Sequence, residues 1–281
     1  MVRDRSHPGP VRVLWMGTAG MLLSDGCDAL LIDPFATRPG LHKVVLGLPV
    51  SPDAAAISRL FASIKHEPVR AVLVTHSHYD HSMDAPFFAV LFRCPLYGSE
   101  STANVARGSG MEGDLIRTIS HGNKLRFGLF QVTIIESVHG PALFGRIPYP
   151  GDIKLPLVPP VPVSKYRLGS TFSLLVEHPR GSAVVHASAG FREGMFDNIK
   201  ADVLLLGIGG RGDTERYLDA VVRPLGKPVI IPIHWDHFFI PLEWPFRPLI
   251  GVRMDEFHRT AERLFPGKIR TLTPLEEKKL F

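Results

Sequence analysis

Four residues of metal-ligating type lie in the segment 75–81 (THSHYDH), which follows the apolar run Ala71–Val74. This run is short and ends in branched side chains, so it predicts a buried strand. His76 and His78 are two residues apart, and in an extended chain such side chains point to the same side and can hold one metal ion as a pair. The pattern predicts a metal site at the carboxyl end of a strand, where α/β folds commonly place their chemistry.

The same segment offers ligands for a second ion. Asp80 and His81 follow where the chain turns away from the strand, and neighbouring side chains there can face another metal. Imidazole suits zinc, and a carboxylate beside it is common in hydrolytic sites. A polar turn that is merely rich in histidine is the alternative interpretation, but both the strand and the spacing favour a metal site.

These residues resemble a known family. The pattern HxHxDH at 76–81 is similar to the signature of the metallo-β-lactamase-fold hydrolases. The longer segment 74–81 is most similar to the branch that contains ascorbate-phosphate lactonases and N-acylphosphatidylethanolamine phospholipase D. The resemblance covers roughly residues 11–273. It implies an α/β fold, namely a four-layer αββα sandwich with the metals at one edge, formed as a single domain by residues 1–281.

The resemblance also implies a complete ligand set. Two further histidines close apolar runs, His139 after Phe130–Val138 and His234 after Val229–Ile233. A histidine at a strand end is usually a polar cap, but these two lie where the family places ligands. The implied ligands of the first metal are His76, His78 and His139, and those of the second are Asp80, His81 and His234. We expect Zn²⁺, two ions in all, with Mn²⁺ or Fe²⁺ as alternatives.

One position departs from the family pattern. After a second strand the family has an aspartate that bridges both metals, whereas this sequence has Ser188. A neutral hydroxyl is a poorer bridge, because a negative charge is lost where two cations lie close together. Either His186 substitutes as a ligand, or hydroxide or substrate oxygen alone forms the bridge, or the second site is weakened. We favour two metals with a weakened second site, and we interpret Asp213 as a helix cap rather than the missing bridge.

Further polar residues are candidates for roles around the metals. Asp33 either orients a ligand histidine or begins a turn before the proline that follows it. The candidate catalytic residues are Asp80, which could position the nucleophile, and His237, which could polarise a substrate oxygen. Asp236 could orient a ring or supply the charge missing at Ser188. The alternative for Asp236 and His237 is ordinary loop polarity.

A Pro-rich apolar insert at about residues 141–166 interrupts the regular pattern and includes Phe144, Tyr149 and Leu155. Proline excludes regular helix and central strand, and long loops of this kind are often lids or binding loops. The insert is either a wall for an apolar part of the substrate or an arm that packs on the sandwich or on a second subunit, as in a homodimer. The aromatic segment 238–249 either completes the same pocket or packs in the core.

Regular elements are predicted on both sides of these segments. Strands are expected at 11–16, 21–24, 29–32, 71–74, 95–97, 115–120, 130–138, 170–177, 182–187, 203–207, 229–233 and near 269–272. Helices are expected at 52–64, 84–92, 99–107, 213–225 and 254–265, with an aspartate cap at Asp84. Residues 41–52 are predicted as a loop, and the charged tail 273–281 is expected to fray.

The composition narrows the possible partners and location. The formal net charge is +5 and the sequence pI is about 9.3, which makes an anionic substrate plausible. The basic residues form no run, so no nucleic-acid partner is expected. No apolar run reaches the ~18 residues of a membrane span, and segment 1–10 lacks the apolar core of a signal peptide, so we expect a cytoplasmic protein. Cys27 and Cys94 suggest neither a disulfide framework nor a cysteine-based zinc site.

These observations together predict a metal-dependent hydrolase. Metal-activated hydroxide would attack an ester, lactone or phosphodiester bond of a small or amphipathic, lipid-like substrate. Histidine rather than glutamate at position 78 argues against the flavodiiron branch of the same fold and supports hydrolysis over redox chemistry. The alternatives are a nuclease of the same fold and, because of Ser188, a non-catalytic metal-binding or interaction module.

Overall fold

The computed structural model describes residues 9–142 and 145–281. Phe144 of the insert and most of segment 1–10, on which the expectation about a signal peptide rests, lie outside the described residues. The strands are β1 (Arg12–Trp15), β2 (Met21–Ser24), β3 (Ala29–Ile32), β4 (Pro49–Val50), β5 (Val69–Leu73), β6 (Leu96–Gly98), β7 (Ile116–Thr118), β8 (Lys124–Phe127), β9 (Phe130–Ser137), β10 (Val161–Pro162), β11 (Thr171–His178), β12 (Gly181–His186), β13 (Val203–Gly207), β14 (Val229–Ile233) and β15 (Glu277–Lys279). The α-helices are α1 (Leu41–Val45), α2 (Ala54–Ile64), α3 (Tyr79–Ser82), α4 (Ala85–Phe92), α5 (Glu100–Gly108), α6 (Thr214–Val222) and α7 (Met254–Leu264).

Two sheets form the centre of the fold. The first has seven strands in the order β15-β1-β2-β3-β5-β6-β7, and the second has six in the order β14-β13-β12-β11-β9-β8. Strands β3 and β5 are parallel, as are β12, β13 and β14. Strand β9 runs in the same direction as β12, because both are antiparallel to β11 between them. Parallel strands end at the same edge of a sheet, so the loops that follow them gather there.

The inner faces of the two sheets enclose a common apolar core. Leu30 and Leu73 from the first sheet pack in one cluster with Ile134, Val185 and Leu205 from the second. All five side chains are buried, and in β5 and β9 such residues alternate with side chains directed away from this core. Burial of this kind is the main favourable term in folding, so the sandwich is held chiefly by contacts between its two sheets.

Helices cover the outer face of each sheet. On the first sheet Leu31 and Val72 pack against Ile57 of α2 and Phe88 of α4. On the second sheet an equivalent cluster joins β13 and β14 to α6 and α7, and it includes Leu204, Ile230, Tyr217, Leu218 and Phe257. The order helix, sheet, sheet, helix is the four-layer αββα sandwich that the sequence predicted.

Several segments differ from the sequence prediction. The tail does not fray, because β15 pairs with β1 and Leu280 is buried in the core between the sheets. The predicted loop 41–52 contains α1 and β4, and β8 was not predicted at all. Strand β8 is a short edge strand with two exposed charged residues, so its apolar signal is weak. The strand expected near 269–272 is reduced to one bridge between Ile230 and Ile269.

The insert is anchored to the sandwich along part of its length. Ile153, Val163 and Tyr166 are buried in a cluster with Tyr79 and Met83, beside the predicted metal ligands. Strand β10 of the insert pairs with β4, which the loop prediction for 41–52 had missed. The insert therefore packs on the sandwich. The aromatic segment 238–249 contributes Phe238 to the same cluster, so that residue also lies in a core.

Two aspartates that precede helices behave differently. Asp213 caps α6, because its carboxylate accepts a hydrogen bond from the backbone N–H of Arg216 at 2.8 Å, as the sequence indicated. Asp84 lies before α4 but its side chain makes no capping bond. Its buried carboxylate instead accepts hydrogen bonds from the backbone N–H groups of Ala36 and Thr37 and from the Thr37 hydroxyl. Asp84 thus ties the loop after β3 to the connection between α3 and α4.

Candidate metal centre

The structure brings the six predicted ligands together as two groups. His76, His78 and His139 form one group, and Asp80, His81 and His234 form the other. Within each group the atoms able to bind a metal lie within 4.8 Å of one another. The groups adjoin, because the ring centroids of His76 and His81 are 3.8 Å apart. Here they are called the three-histidine group and the aspartate group.

The elements explain why these residues meet. The segment 76–81 follows β5 and enters the short helix α3, His139 follows β9, and His234 follows β14. All these strands deliver their carboxyl ends to the same edge of the sandwich. His81 lies in α3, which begins directly after His78, so the chain turns between the ligands of the two groups.

The aspartate group has distances that match a metal site. Nε2 of His234 lies 3.2 Å from Nε2 of His81 and 3.2 Å from Oδ2 of Asp80, and the latter two atoms are 3.5 Å apart. Ligand atoms bound tetrahedrally at about 2.0–2.1 Å are about 3.3 Å from one another. The three atoms therefore have the spacing of one face of a tetrahedral coordination shell.

In the three-histidine group each ring is held through the nitrogen that a metal would not use. His78 Nε2 bonds to the carbonyl oxygen of Pro148 at 2.9 Å, and His139 Nδ1 bonds to that of Gly140 at 2.7 Å. A carbonyl oxygen only accepts, so these nitrogens carry the protons and the opposite nitrogens keep free lone pairs. Nε2 of His76 is buried and has no hydrogen-bond partner among the described residues. A buried polar atom of this kind is normally satisfied, so its state indicates a missing ligand.

Asp33 supports one histidine of each group. Its Oδ2 accepts a hydrogen bond from Nδ1 of His81 at 2.8 Å and another from the Thr75 hydroxyl at 2.6 Å. Because the Thr75 hydroxyl donates to Asp33, its oxygen can accept from Nδ1 of His76, which is 3.2 Å away. Carboxylates in this position fix the ring orientation of a ligand histidine and raise its basicity. The geometry supports the orienting role for Asp33 over the simple turn.

Two residues at the centre have left-handed backbone conformations. The φ angles are +43° at Asp33 and +55° at His234, a region that residues other than glycine seldom adopt. Asp33 is held by its bonds to Thr75, and the His234 backbone N–H donates to the carbonyl oxygen of Thr18 at 2.8 Å. Such strain persists where the surroundings over-determine it, which is common at functional sites.

The protonation states of four of the six candidate ligands suit cation binding. Burial lowers the pKa of His76 well below its usual value, and burial also lowers the pKa of His78 to about 4 and that of His139 to about 3. These three rings are therefore neutral at pH 7. Burial raises the pKa of Asp80, but His81 and His234 outweigh it, so the net shift is downward and the carboxylate is ionised. Neutral imidazoles and an ionised carboxylate are the forms that bind metals.

Ser188 and His186 do not supply an obvious replacement for the bridging carboxylate. The Ser188 hydroxyl accepts a hydrogen bond from the backbone N–H of Gly140 at 3.1 Å, so it lies beside His139. Nε2 of His186 donates to the carbonyl oxygen of Gly190, and its Nδ1 bonds to the Ser173 hydroxyl, both at 2.8 Å. With both ring nitrogens used inside the fold, His186 is placed as a structural residue and not as a substitute ligand.

Asp236 is occupied by a buried cation. Its carboxylate lies 2.7 Å from a guanidinium nitrogen of Arg38 and accepts a hydrogen bond from the Thr18 backbone N–H at 2.7 Å. Both charged side chains are almost fully buried, and the Arg38 guanidinium also lies over the ring of Phe246. The charge of Asp236 is therefore compensated by Arg38, and this pair joins the loops after β1, β3 and β14. That arrangement disfavours the idea that Asp236 replaces the charge missing at Ser188.

His237 is not part of either group. Its ring packs near that of Phe239, with centroids 5.9 Å apart, and its buried Nδ1 has no hydrogen-bond partner among the described residues. The structure leaves its proposed role toward substrate as a prediction.

Sequence reasoning missed three contributors to the centre. Thr75 links Asp33 to His76, the Pro148 carbonyl orients His78, and the Thr18 carbonyl fixes the backbone of His234. Thr75 stands directly before the first histidine and could have been recognised as a hydroxyl beside a ligand. The two carbonyl groups carry no signal, since every residue has one, and only the folded chain shows where they point.

Three observations indicate that these residues fit a pair of metal ions: the spacing in the aspartate group, the unpartnered Nε2 of His76 and the protonation states.

In the described part of the chain, no helix is both long and apolar enough to cross a membrane.

Comparison with known proteins identifies the family. The profile of the metallo-beta-lactamase superfamily matches residues 22–190, which is more than half of the chain. A UPF0173 metal-dependent hydrolase of Myxococcus xanthus is 28% identical over 241 residues, covering 82% of this chain and 72% of that protein. Another, from Methanoculleus marisnigri, is 24% identical over 276 residues and covers 95% of both chains.

A solved structure gives the same fold. The isothiocyanate hydrolase from Delia radicum gut bacteria superimposes with a TM-score of 0.61 at 17% identity, over 95% of this chain and 98% of that one. Its likeness concerns the fold alone at this level of identity. The matched sequence profile, the αββα sandwich and the two ligand groups agree with one another. The chain belongs to the metallo-beta-lactamase superfamily and is a metal-dependent hydrolase.

Proposed function

We propose that this hydrolase cleaves an ester, lactone or phosphodiester bond of a small or amphipathic substrate, using two zinc ions. The observation that carries the proposal is the pair of adjoining ligand groups at one edge of the sandwich. His76, His78 and His139 would hold one ion, and Asp80, His81 and His234 the other. When bound, two such ions polarise a carbonyl or phosphoryl oxygen and lower the pKa of water.

The residues of this chain have separate tasks in such a site. Asp33 holds His81 directly and His76 through Thr75, so one carboxylate keeps both groups aligned. Asp80 lies within 3.5 Å of both histidines of its group and is the candidate for positioning a nucleophilic water. His237 remains the candidate for polarising a substrate oxygen. Its unpartnered Nδ1 supports that assignment, because a buried polar atom is normally paired.

The segment around Tyr149 closes one side of the centre. The Pro148 carbonyl accepts the His78 hydrogen bond, and the ring of Tyr149 stands edge-on to His78 with centroids 6.3 Å apart. Burial, followed by the charge of Asp80, raises the pKa of Tyr149, so its hydroxyl is protonated at neutral pH and can donate to a substrate oxygen. These contacts support the insert as a wall of the substrate site as well as an anchored arm.

The first test is metal content per chain, measured by elemental mass spectrometry on protein purified without chelator, together with hydrolysis of a substrate panel. The panel contains activated esters, lactones, phosphodiesters, a β-lactam and an aryl isothiocyanate, the last because a protein of the same fold hydrolyses isothiocyanates. We expect about two zinc ions and chelator-sensitive hydrolysis of an ester, lactone or phosphodiester. A metal-loaded protein that is inert toward the whole panel would favour the non-catalytic metal-binding module.

Two further assignments complete the proposal. A homodimer is supported by the insert, where Leu155 and Val158 are 76% and 65% exposed although both are apolar. A monomer by light scattering at working concentration would contradict it. We retain the cytoplasm as the proposed location, and fractionation of cells that produce the native protein tests it.

A further inference from the structure

A cavity of about 520 Å³ lies against the three-histidine group. His139 forms part of its wall, so it is called the His139 cavity here. Its other walls come from the loop after β7, the end of β9 and the start of β11. Binding pockets for small molecules commonly have volumes of about 300–1,000 Å³.

The cavity borders the metal centre at two short segments of the chain. Ile147 lines the cavity, the next residue gives its carbonyl to His78, and Tyr149 lies against the same ring. On the other side Leu168 lines the cavity, and its carbonyl accepts a hydrogen bond from the backbone N–H of Ser77 at 3.0 Å. Ser77 lies between the ligands His76 and His78. A molecule that fills the cavity therefore lies beside the three-histidine group.

The lining shows which chemistry the cavity suits. Ile119, Ile147, Leu168 and Phe172 provide apolar surface, and serine hydroxyls provide hydrogen-bonding groups. The hydroxyl of Ser137 is buried and has no hydrogen-bond partner among the described residues. A site with apolar walls and a few polar groups suits an uncharged moiety that can both pack and accept or donate a hydrogen bond.

The charges of the lining point the same way. No lysine or arginine lines the cavity among the described residues, and the one carboxylate, that of Glu136, is paired with Arg192 at 2.8 Å. Nδ1 of His121 accepts the backbone N–H of Glu136 at 3.0 Å, so that nitrogen carries no proton. The net charge of +5 belongs to the whole chain and does not describe this cavity. A phosphate or carboxylate bound here would have no lysine or arginine of the described lining to pair with, and burying a charge without such a partner is unfavourable.

We propose that the His139 cavity binds the uncharged, non-reacting part of the substrate while the bond to be cleaved lies at the metal centre. The inference rests on the proposed function for the position of the reacting bond. For an ester, lactone or phosphodiester substrate, it assigns this non-reacting part as an uncharged, apolar group the size of a fused ring or a short acyl chain. For this part of the substrate it differs from the anionic character that the net charge made plausible.

The charge preference is tested on the metal-loaded protein with two esters that differ at the end remote from the reacting carbonyl. They are the 4-nitrophenyl ester of monomethyl adipate, which is neutral, and 4-nitrophenyl hydrogen adipate, which is anionic. We expect kcat/KM to favour the neutral ester at least tenfold. Ser170→Lys places a cation in the cavity lining and should shift the preference about fivefold toward the anionic ester. Ser51→Lys adds the same charge at an exposed serine outside the cavity and should not shift it.

Binding without hydrolysis separates this inference from the proposed function. The probe is 2-naphthamide, which is uncharged and has no ester bond, and its affinity is measured by ligand-observed NMR. We expect saturable binding that Ser170→Trp weakens at least tenfold and Ser51→Trp leaves unchanged. Ser120→Trp, also at the cavity, replaces Ser170→Trp if that variant melts early by circular dichroism.

Each outcome bears on one of the two claims. If the probe binds as expected but no ester, lactone or phosphodiester of the panel is cleaved, the cavity proposal holds and the proposed function is wrong. Two results would contradict the role of the cavity without contradicting the proposed function. One is the absence of saturable binding of the probe. The other is that the Ser170 and Ser51 substitutions have equal effects on probe binding and on the preference for the neutral ester.

Discussion

The two ligand groups hold cations by different means. In the three-histidine group every ligand is a neutral ring, and the outer ring nitrogens bond to neutral oxygens of Thr75, Pro148 and Gly140. In the aspartate group Asp80 is itself a ligand candidate, and a second carboxylate, Asp33, lies directly behind His81. The carboxylates of the aspartate group would thus compensate the charge of a bound cation, whereas the three-histidine group would offer that cation only neutral polar atoms.

This difference changes the meaning of Ser188. The sequence alone suggested that losing the bridging carboxylate weakens the second site, which the aspartate group would form. The charges in the structure instead indicate that the three-histidine group is the weaker metal site, because it would keep no anionic ligand of its own. Ser188 also lies on the side of that group, where its hydroxyl bonds to the residue after His139. Measuring the metal affinity of each group separately decides which of the two is the weaker site.

The largest effects are expected when one ligand is removed from each group. His76→Ala and His234→Ala should each lower the bound metal by about one ion per chain and reduce hydrolysis by more than about 100-fold, since even an outer partner of a ligand is worth 10–100-fold. Elemental mass spectrometry and steady-state kinetics measure both changes. His66→Ala is the control, because the His66 side chain is 71% exposed and outside both groups. Full activity in either ligand variant would contradict a hydrolytic site that is formed by both groups.

The next effect is expected at Asp33, which serves both groups. Asp33→Asn should lower metal affinity of both groups by about 10–100-fold, since asparagine tolerates the left-handed backbone but loses one hydrogen-bond acceptor and the charge. Chelator competition measures the two affinities. Thr75→Val is the matched variant, because it removes the hydroxyl that joins Asp33 to His76 but keeps the hydrogen bond between Asp33 and His81, and it should chiefly weaken the three-histidine group. If Asp33→Asn weakens only the aspartate group, the link through Thr75 has no energetic role.

A smaller gain is expected from restoring the missing carboxylate. Ser188→Asp should raise the affinity of the three-histidine group by about tenfold, because it places a negative charge beside a group that has none. The affinity is measured by chelator competition in the His234→Ala background, which isolates that group. The same substitution in the His76→Ala background reports on the aspartate group, where a smaller gain is expected. A larger gain there would support the original assignment of the weaker site.

Asp84 shows what a buried carboxylate does away from the cations. Burial raises its pKa to about 6, above the ordinary value of 3.8, despite three hydrogen bonds that favour ionisation. The folded state therefore binds the proton more tightly than the unfolded state. The stabilisation that this provides is complete below pH 3.8 and is lost as the pH rises through about 6.

Asp84→Asn should consequently remove one contribution to the pH dependence of unfolding. The free energy of unfolding of the original protein, relative to that of the variant, should fall by up to about 3 kcal/mol between pH 4 and pH 7. Urea denaturation with chelator present measures this difference without a contribution from metals. A relative stability that rises over the same range would show that the folded state lowers the pKa of Asp84.

Much of the site could be predicted from the sequence because it is local. The pattern at 76–81 places four candidates within six residues, and each of the two remaining histidines closes a clear apolar strand. Asp33 was also suggested, although its partner was not. The edge strand β8 and the pairing of β15 with β1 were not predicted, because short strands with charged side chains gain their stability from neighbours that the sequence pattern does not name.

What the sequence determined by itself is the kinds of candidate ligand, since residue chemistry can be read directly from the chain. It also indicated the fold class, through the resemblance of the segment 76–81 to a known family. The tertiary structure decided which side chains form hydrogen bonds and ion pairs with one another. It pairs Asp236 with Arg38, although 198 positions separate them, and it engages both nitrogens of His186 inside the fold. It also placed beside His139 a cavity whose described lining has no lysine or arginine, although the protein is basic. Hydrogen bonds and local charge depend on distances across the fold, and neither spacing nor composition contains those distances.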